Sequence, residues 1–183
     1  MGEVPMKQYG FLSPLIIISF VLSGCFYSKT ALIEPENGVR LVIPGQYRAI
    51  SYEEDGSISD ENEWIGPVRY EEGRLHSDVE DMPLEGAVFA EIAERIYMAQ
   101  GQPDDGDEYI ILLVFDHGDG RYFAHLPMCE RLPETSRETL GLIEHSNDTC
   151  EVRDGEQARA AMLEYVALLG AQIRDGVLLV RTD

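Results

Sequence analysis

The sequence predicts an α+β fold: an antiparallel β-sheet meander with a C-terminal helix packed on it. Three observations carry this expectation. Tyr109-Ile110-Ile111-Leu112-Leu113-Val114-Phe115 is an unbroken apolar run, the pattern of a strand buried on both faces. Asp116-His117-Gly118-Asp119-Gly120 then supplies turn residues before Arg121-Tyr122-Phe123-Ala124-His125-Leu126, so the two runs read as a hairpin. After Cys150 the apolar period changes to that of a helix. Ala158, Ala161, Met162, Tyr165, Val166 and Leu169 form a stripe, with Asp154 as cap, Glu156 in the first turn and Gly170 at the end.

The other elements follow from shorter patterns. Val39 to Ile43 and Gln46 to Tyr52 flank Pro44-Gly45, giving either two strands or one bent strand. Glu53 to Glu63 is an acidic loop. Val68-Arg69-Tyr70 and Leu75-His76-Ser77 flank Glu71-Glu72-Gly73-Arg74, a hairpin. Val88 to Gln100 fits a helix through Val88, Ile92 and Ile96. It also fits two short strands joined at Ala93-Glu94, which is the expectation taken. Leu140 to Ile143 reads as a short strand or a helical turn, and Ala171 to Val180 as a closing hairpin or strand.

The N-terminus gives the most direct functional signal. Phe11 to Val21 is apolar but too short to span a bilayer comfortably, and it ends in small residues, as secretory signals do. Leu22-Ser23-Gly24-Cys25 closes it. These four residues resemble the lipobox of bacterial lipoprotein precursors. The resemblance covers about the first seventh of the chain. It implies diacylation of Cys25, cleavage before it, and contact with the bilayer through acyl chains, each buried methylene contributing about 0.8 kcal/mol. The implied organisation is a cleaved signal peptide over 1–24, a lipidated N-terminus and tether over 25–37, and a single α+β domain over 38–183. Lys7 is the one basic residue before the apolar run and Glu3 precedes it, so Met6 is the expected start of translation. Phe26 follows the cysteine. In lipoproteins of enteric-type bacteria Asp there marks inner-membrane retention, so the resemblance favours the outer membrane, facing the periplasm.

Charge narrows the partners. The chain has 34 Asp and Glu against 14 Lys and Arg, a net charge of −20. Removing residues 1–24 takes one charge of each sign, Glu3 and Lys7, and leaves the balance unchanged. Such a surface repels nucleic-acid phosphates and anionic headgroups, so membrane contact falls to the lipid. In an oxidising envelope, Cys129 and Cys150 read as a disulfide. The alternative, zinc held by His125 with Cys129 and His145 with Cys150, lacks the tighter spacing of zinc knuckles.

Candidate chemistry is sparse. Asp116, His117, Asp119 and His125 lie around one hairpin and have the donor types of a metal or proton-relay site, although the same residues are ordinary turn chemistry. Asp55, Ser57, Ser59, Asp60, Glu61 and Glu63 offer oxygens suited to calcium. An EF-hand loop counted from Asp55 would need Gly at position 60 and Glu at position 66, where Asp60 and Gly66 stand. Asp104-Asp105-Gly106-Asp107-Glu108 reads likewise as a solvated acidic loop. Trp64, Tyr47, Tyr52 and Tyr70 suit a core, or else an aromatic groove. No nucleophile-elbow, zinc-protease or phosphate-loop motif occurs. The expectation is therefore a membrane-tethered envelope lipoprotein acting as a non-catalytic binding or structural module toward an envelope protein or cell-wall partner, without cofactor, resident metal or catalytic residues. The alternatives are a metal-dependent hydrolase built on the His117/His125 hairpin and a divalent-cation module built on the acidic loops.

Overall fold

The computed structural model describes residues 25–59, 63–103, 106–145 and 148–183. Residues 1–24, which the sequence reading assigns to a signal peptide, and Asp60, Glu61, Asp104 and Asp105 of the acidic loops, lie outside the described residues. Eleven strands and two α-helices occur among those described. They are β1 (Phe26–Ser28), β2 (Gly45–Tyr52), β3 (Trp64–Glu71), β4 (Arg74–His76), β5 (Val88–Ala93), β6 (Ile96–Gly101), β7 (Tyr109–Gly118), β8 (Arg121–His125), α1 (Glu134–Leu140), β9 (Ile143–Glu144), β10 (Cys150–Glu151), α2 (Gly155–Leu169) and β11 (Gly176–Arg181).

The α+β class holds, but the sheet is mixed and is not a meander. Its order is β4-β3-β2-β11-β8-β7-β1-β10-β9, with β6 also paired to β7 and β5 to β6. β11, expected as a closing hairpin or strand, inserts between β2 and β8, antiparallel to both. β1 pairs antiparallel with β7 and parallel with β10. Local hairpins supply β3-β4, β5-β6 and β7-β8, whose turns place Glu72 and Gly73, Arg95, and Asp119 and Gly120 at positive φ. Asp119-Gly120 accepts that geometry readily, because Asp tolerates the left-handed region and Gly has no Cβ. The turn is thus two residues long, and the strand runs on through Asp116 to Gly118.

Leu75 N–H donates to the Ala87 carbonyl at 2.9 Å, and Gly86 N–H donates to the Leu75 carbonyl at 2.8 Å. These bonds bring β4 against the start of β5, so the sheet rolls into a ring. Side chains of one parity point inward along each strand. Tyr47, Ala49, Trp64, Val68, Leu75, Phe89, Ala99, Val114, Tyr122, Ala124 and Leu179 meet there in one buried cluster. Gly176 lets β11 approach β8 closely: its φ is +148°, and a Cβ there would lie 2.2 Å from the Ala124 carbonyl oxygen.

The outer face carries the second core. Asp154 caps α2 as expected, its Oδ1 accepting from Gln157 N–H at 2.8 Å. Ala158, Ala161, Met162 and Tyr165 of α2 bury against Phe26, Val88, Ile92, Met98, Ile111 and Leu113. Arg159 crosses to the Ile92 carbonyl at 2.7 Å.

Within the stretch 25–37, expected as lipidated N-terminus and tether, Phe26–Ser28 form strand β1. Phe26 is fully buried and aligned with Cys150, while Tyr27 is aligned with Ile110. The physical reason is that Phe26 fills the α2 core, packing edge-on to Tyr165 at a centroid distance of 6.4 Å. Ile33 is buried too, and its N–H donates to the Gln100 Oε1 at 3.2 Å.

Candidate functional site

The Cys129–Cys150 disulfide is present, with its Cα atoms 5.7 Å apart. Cys25 lies between the two chain segments it joins. Cys25 bridges antiparallel to Met128, and its carbonyl accepts from Cys150 N–H at 3.0 Å. Cys25 itself is 1% exposed, and burial pushes its thiol pKa upward. With both cysteines in the bridge, the zinc alternative loses its sulfur ligands.

His117 and His125 do not converge. His125 pairs with Leu113, four residues before His117 on β7, which is about 13 Å of extended strand. His125 is wholly buried. Its Nδ1 lies 2.9 Å from the Asp175 carbonyl oxygen and its Nε2 3.2 Å from the Tyr165 hydroxyl. Tyr165 also accepts from Met128 N–H at 3.3 Å. One proton arrangement satisfies all three groups: Nδ1 donates to Asp175, and the Tyr165 hydroxyl donates to Nε2. That arrangement needs a neutral imidazole. Burial accordingly holds the His125 pKa below its ordinary value, against the pull of Asp175. Asp116 instead accepts from Gly118 N–H at 2.7 Å and lies 3.7 Å from Arg95. Among the described residues no three His, Cys, Asp or Glu side chains group as metal ligands. In the first acidic loop, Asp55 accepts from Ser57 N–H at 2.8 Å, an ordinary turn contact.

His145 likewise serves the first strand, its Nε2 lying 3.3 Å from Glu151, which also pairs with Lys29 at 2.7 Å. Trp64 and Tyr47 are core residues: Trp64 donates to the Glu80 carbonyl at 3.1 Å and Tyr47 to the Ile43 carbonyl at 2.7 Å.

A groove of about 470 Å³ opens on the outer face of β7, β8, β11 and β2, where α2 has ended. Its floor is a cross-strand row. Phe115 aligns with Phe123, and Phe123 with Leu178. Tyr52 packs on Phe123 at 6.4 Å, and Phe115 on Phe123 at 6.5 Å. Gly56, Gly170 and Ile173 form its wall, and His117, Arg121 and Arg174 its polar rim. Tyr52, read as a core or groove aromatic, and His117, read as turn chemistry with a metal or proton-relay role as the alternative, both line this groove. Comparison with protein-family models, curated proteins and solved structures finds no match to this chain. The groove must therefore be read from its own chemistry.

That chemistry is unusual for so acidic a chain. No acidic side chain lines the groove among the described residues. Sequence reading missed Arg121, Arg174, Phe115, Phe123 and Leu178 as a group. The detectable signal was the shared parity of Phe115-x-His117 and Arg121-x-Phe123 on the two strands of one hairpin.

Proposed function

We propose that this chain is a lipid-anchored lipoprotein of the bacterial envelope whose domain works by binding. The observation that carries the reading is the run Phe11 to Val21 closed by Leu22-Ser23-Gly24-Cys25. Acyl chains on Cys25 would supply the attachment; no helix among the described residues is long and apolar enough to cross a membrane. Phe26 is already in the sheet. Acyl groups on the Cys25 sulfur and amine require that residue to swing out of its bridge to Met128, while Phe26 to Ser28 keep their pairing. The domain would then lie directly on the bilayer, with a hinge of one residue. The binding side of the reading is supported by the groove, an apolar-floored concavity with polar groups on its rim.

Metabolic labelling with radioactive palmitate, followed by membrane fractionation, tests the anchor. The expected result is label on the native chain and none on Cys25→Ser, which accumulates as uncleaved precursor. Normal cleavage and membrane retention of Cys25→Ser would refute the lipid assignment.

A further inference from the structure

Thirteen Lys and Arg residues lie among the described positions of a chain whose net charge is −20. Eleven of them are engaged. Some are in ion pairs, such as Arg69 with Asp78 or Arg131 with Asp175. Arg74, Arg153 and Arg159 donate to backbone carbonyls, and Arg40 lies over the Tyr70 ring. Arg121 and Arg174 alone among the described cations have no ion pair, hydrogen bond or aromatic face, and both stand on the rim of the same groove. Acidic side chains outnumber basic ones by more than two to one, so two unpaired guanidiniums at one apolar concavity are a local reversal of the surface charge.

We propose that this groove binds a small amphipathic anion, its apolar body on Phe115, Phe123, Leu178 and Tyr52 and its carboxylate or phosphate on the arginine rim, at Arg121 or Arg174. Three physical arguments select this occupant. The volume lies within the range of small-molecule sites, roughly 300–1,000 Å³, and is small for a folded partner. The floor is a continuous row of aromatic and aliphatic groups across three strands, whose partial exposure is relieved when an apolar body covers it. Guanidinium groups match carboxylate and phosphate oxygens through paired N–H donors, and the apolar wall lowers the local dielectric that would otherwise weaken them. His117 at the same rim adds a third donor. A neutral ligand would gain no charge-assisted bond from the arginines, and a cation would be repelled by them. The arginines need no refolding to act: Arg121 begins β8 directly after the turn, and Arg174 lies against Gly56 with its Cδ 3.8 Å from a Cβ built there.

This site deepens the binding reading and does not depend on the anchor, so palmitate labelling and ligand titration can fail separately. The test is isothermal titration of the full chain in dodecyl maltoside micelles. Octanoate and 2-naphthoate are the probes, with octanamide and 2-naphthamide as neutral controls. The Arg121→Gln/Arg174→Gln variant cancels partition into the micelle; both side chains are exposed and unpaired, so its fold, checked by circular dichroism, is expected to be native. One saturable site per chain is expected for at least one carboxylate, weakened about tenfold or more by the amide and by the double variant. Whichever acid binds assigns the apolar body as aliphatic or aromatic. The proposal is overturned by the absence of saturable binding for both acids, by amides that bind as tightly, or by a double variant with unchanged affinity. It is also overturned if light scattering shows a dimer that Phe123→Ser converts to monomer, because the groove would then be filled by a second copy.

Discussion

Replacing Cys129 and Cys150 together by alanine is expected to lower the unfolding free energy by about 3 kcal/mol. The bond spans 21 residues, and closing a loop of that length removes about this much denatured-state entropy in the chain-entropy model. Both cysteines are almost wholly buried in the cluster beneath α2, so the lost sulfur atoms add a small packing cost. The damage should be local before it is global. β9 and β10 have two residues each and β1 has three; without the bond they are held by few backbone pairs. Urea denaturation of the variant, and of the native chain with and without reductant, measures the total. Hydrogen exchange supplies the position: protection should fall at Phe26 to Ser28 and Cys150 to Glu151 while β7 and β11 stay protected. A loss below about 1 kcal/mol, or an even loss of protection through the sheet, would mean that the bridge does not hold the first strand.

The parts of this fold that were legible are those written in neighbouring residues. β7 announces itself by its apolar run. α2 does so by its stripe and the Asp154 cap, and β5-β6 by alternation broken at Glu94-Arg95. What was illegible depends on distant partners. Three residues of β1 contain no period, and Phe26 becomes a strand residue only because Cys150 and the α2 core receive it. β11 looks like a terminal hairpin until β2 and β8 are known to leave a place between them. α1 buries no residue, so no apolar stripe could mark it. The candidate site failed for the complementary reason. His117 and His125 are near in sequence, and an extended strand carried them apart. Tyr52, Phe123 and Arg174 are far apart in sequence, and the ring of strands brought them together.

Tyr165→Phe is expected to cost about 2 kcal/mol, and to change how stability depends on pH. The substitution keeps the ring, and with it the contacts to Phe26 and His125 at 6.4 and 5.7 Å, so hydrophobic packing is nearly conserved. What it removes is the hydroxyl that accepts from Met128 N–H and donates to the buried His125 Nε2. Two buried polar groups then lack partners, and each orphaned group costs about 1–3 kcal/mol before local relaxation. In the native chain the folded-state pKa of His125 lies below its unfolded value, which is about 6.5. Between those two values the unfolded chain holds more protons than the folded one. Stability is therefore full above the unfolded pKa and falls as pH drops through it, with a slope of at most about 1.4 kcal/mol per pH unit, until the folded pKa is reached. The groups facing His125 are Asp175, Arg131 and Tyr165, and Arg131 adds to the penalty on a charged imidazole. Asp78, Glu151 and Asp183 have pKa values held low by Arg69, Lys29 and Arg181; their contributions are lost only in more acidic solution. The Tyr165 oxygen can also accept from a protonated Nε2, so without the hydroxyl a charged imidazole is left with an unpaired Nε2–H. The fall in stability between pH 7.5 and 5.5, measured by urea denaturation, should be steeper in Tyr165→Phe than in the native chain. His125→Asn should remove His125's part of the slope in both backgrounds. If the native slope survives in His125→Asn, the buried imidazole is not the group that titrates.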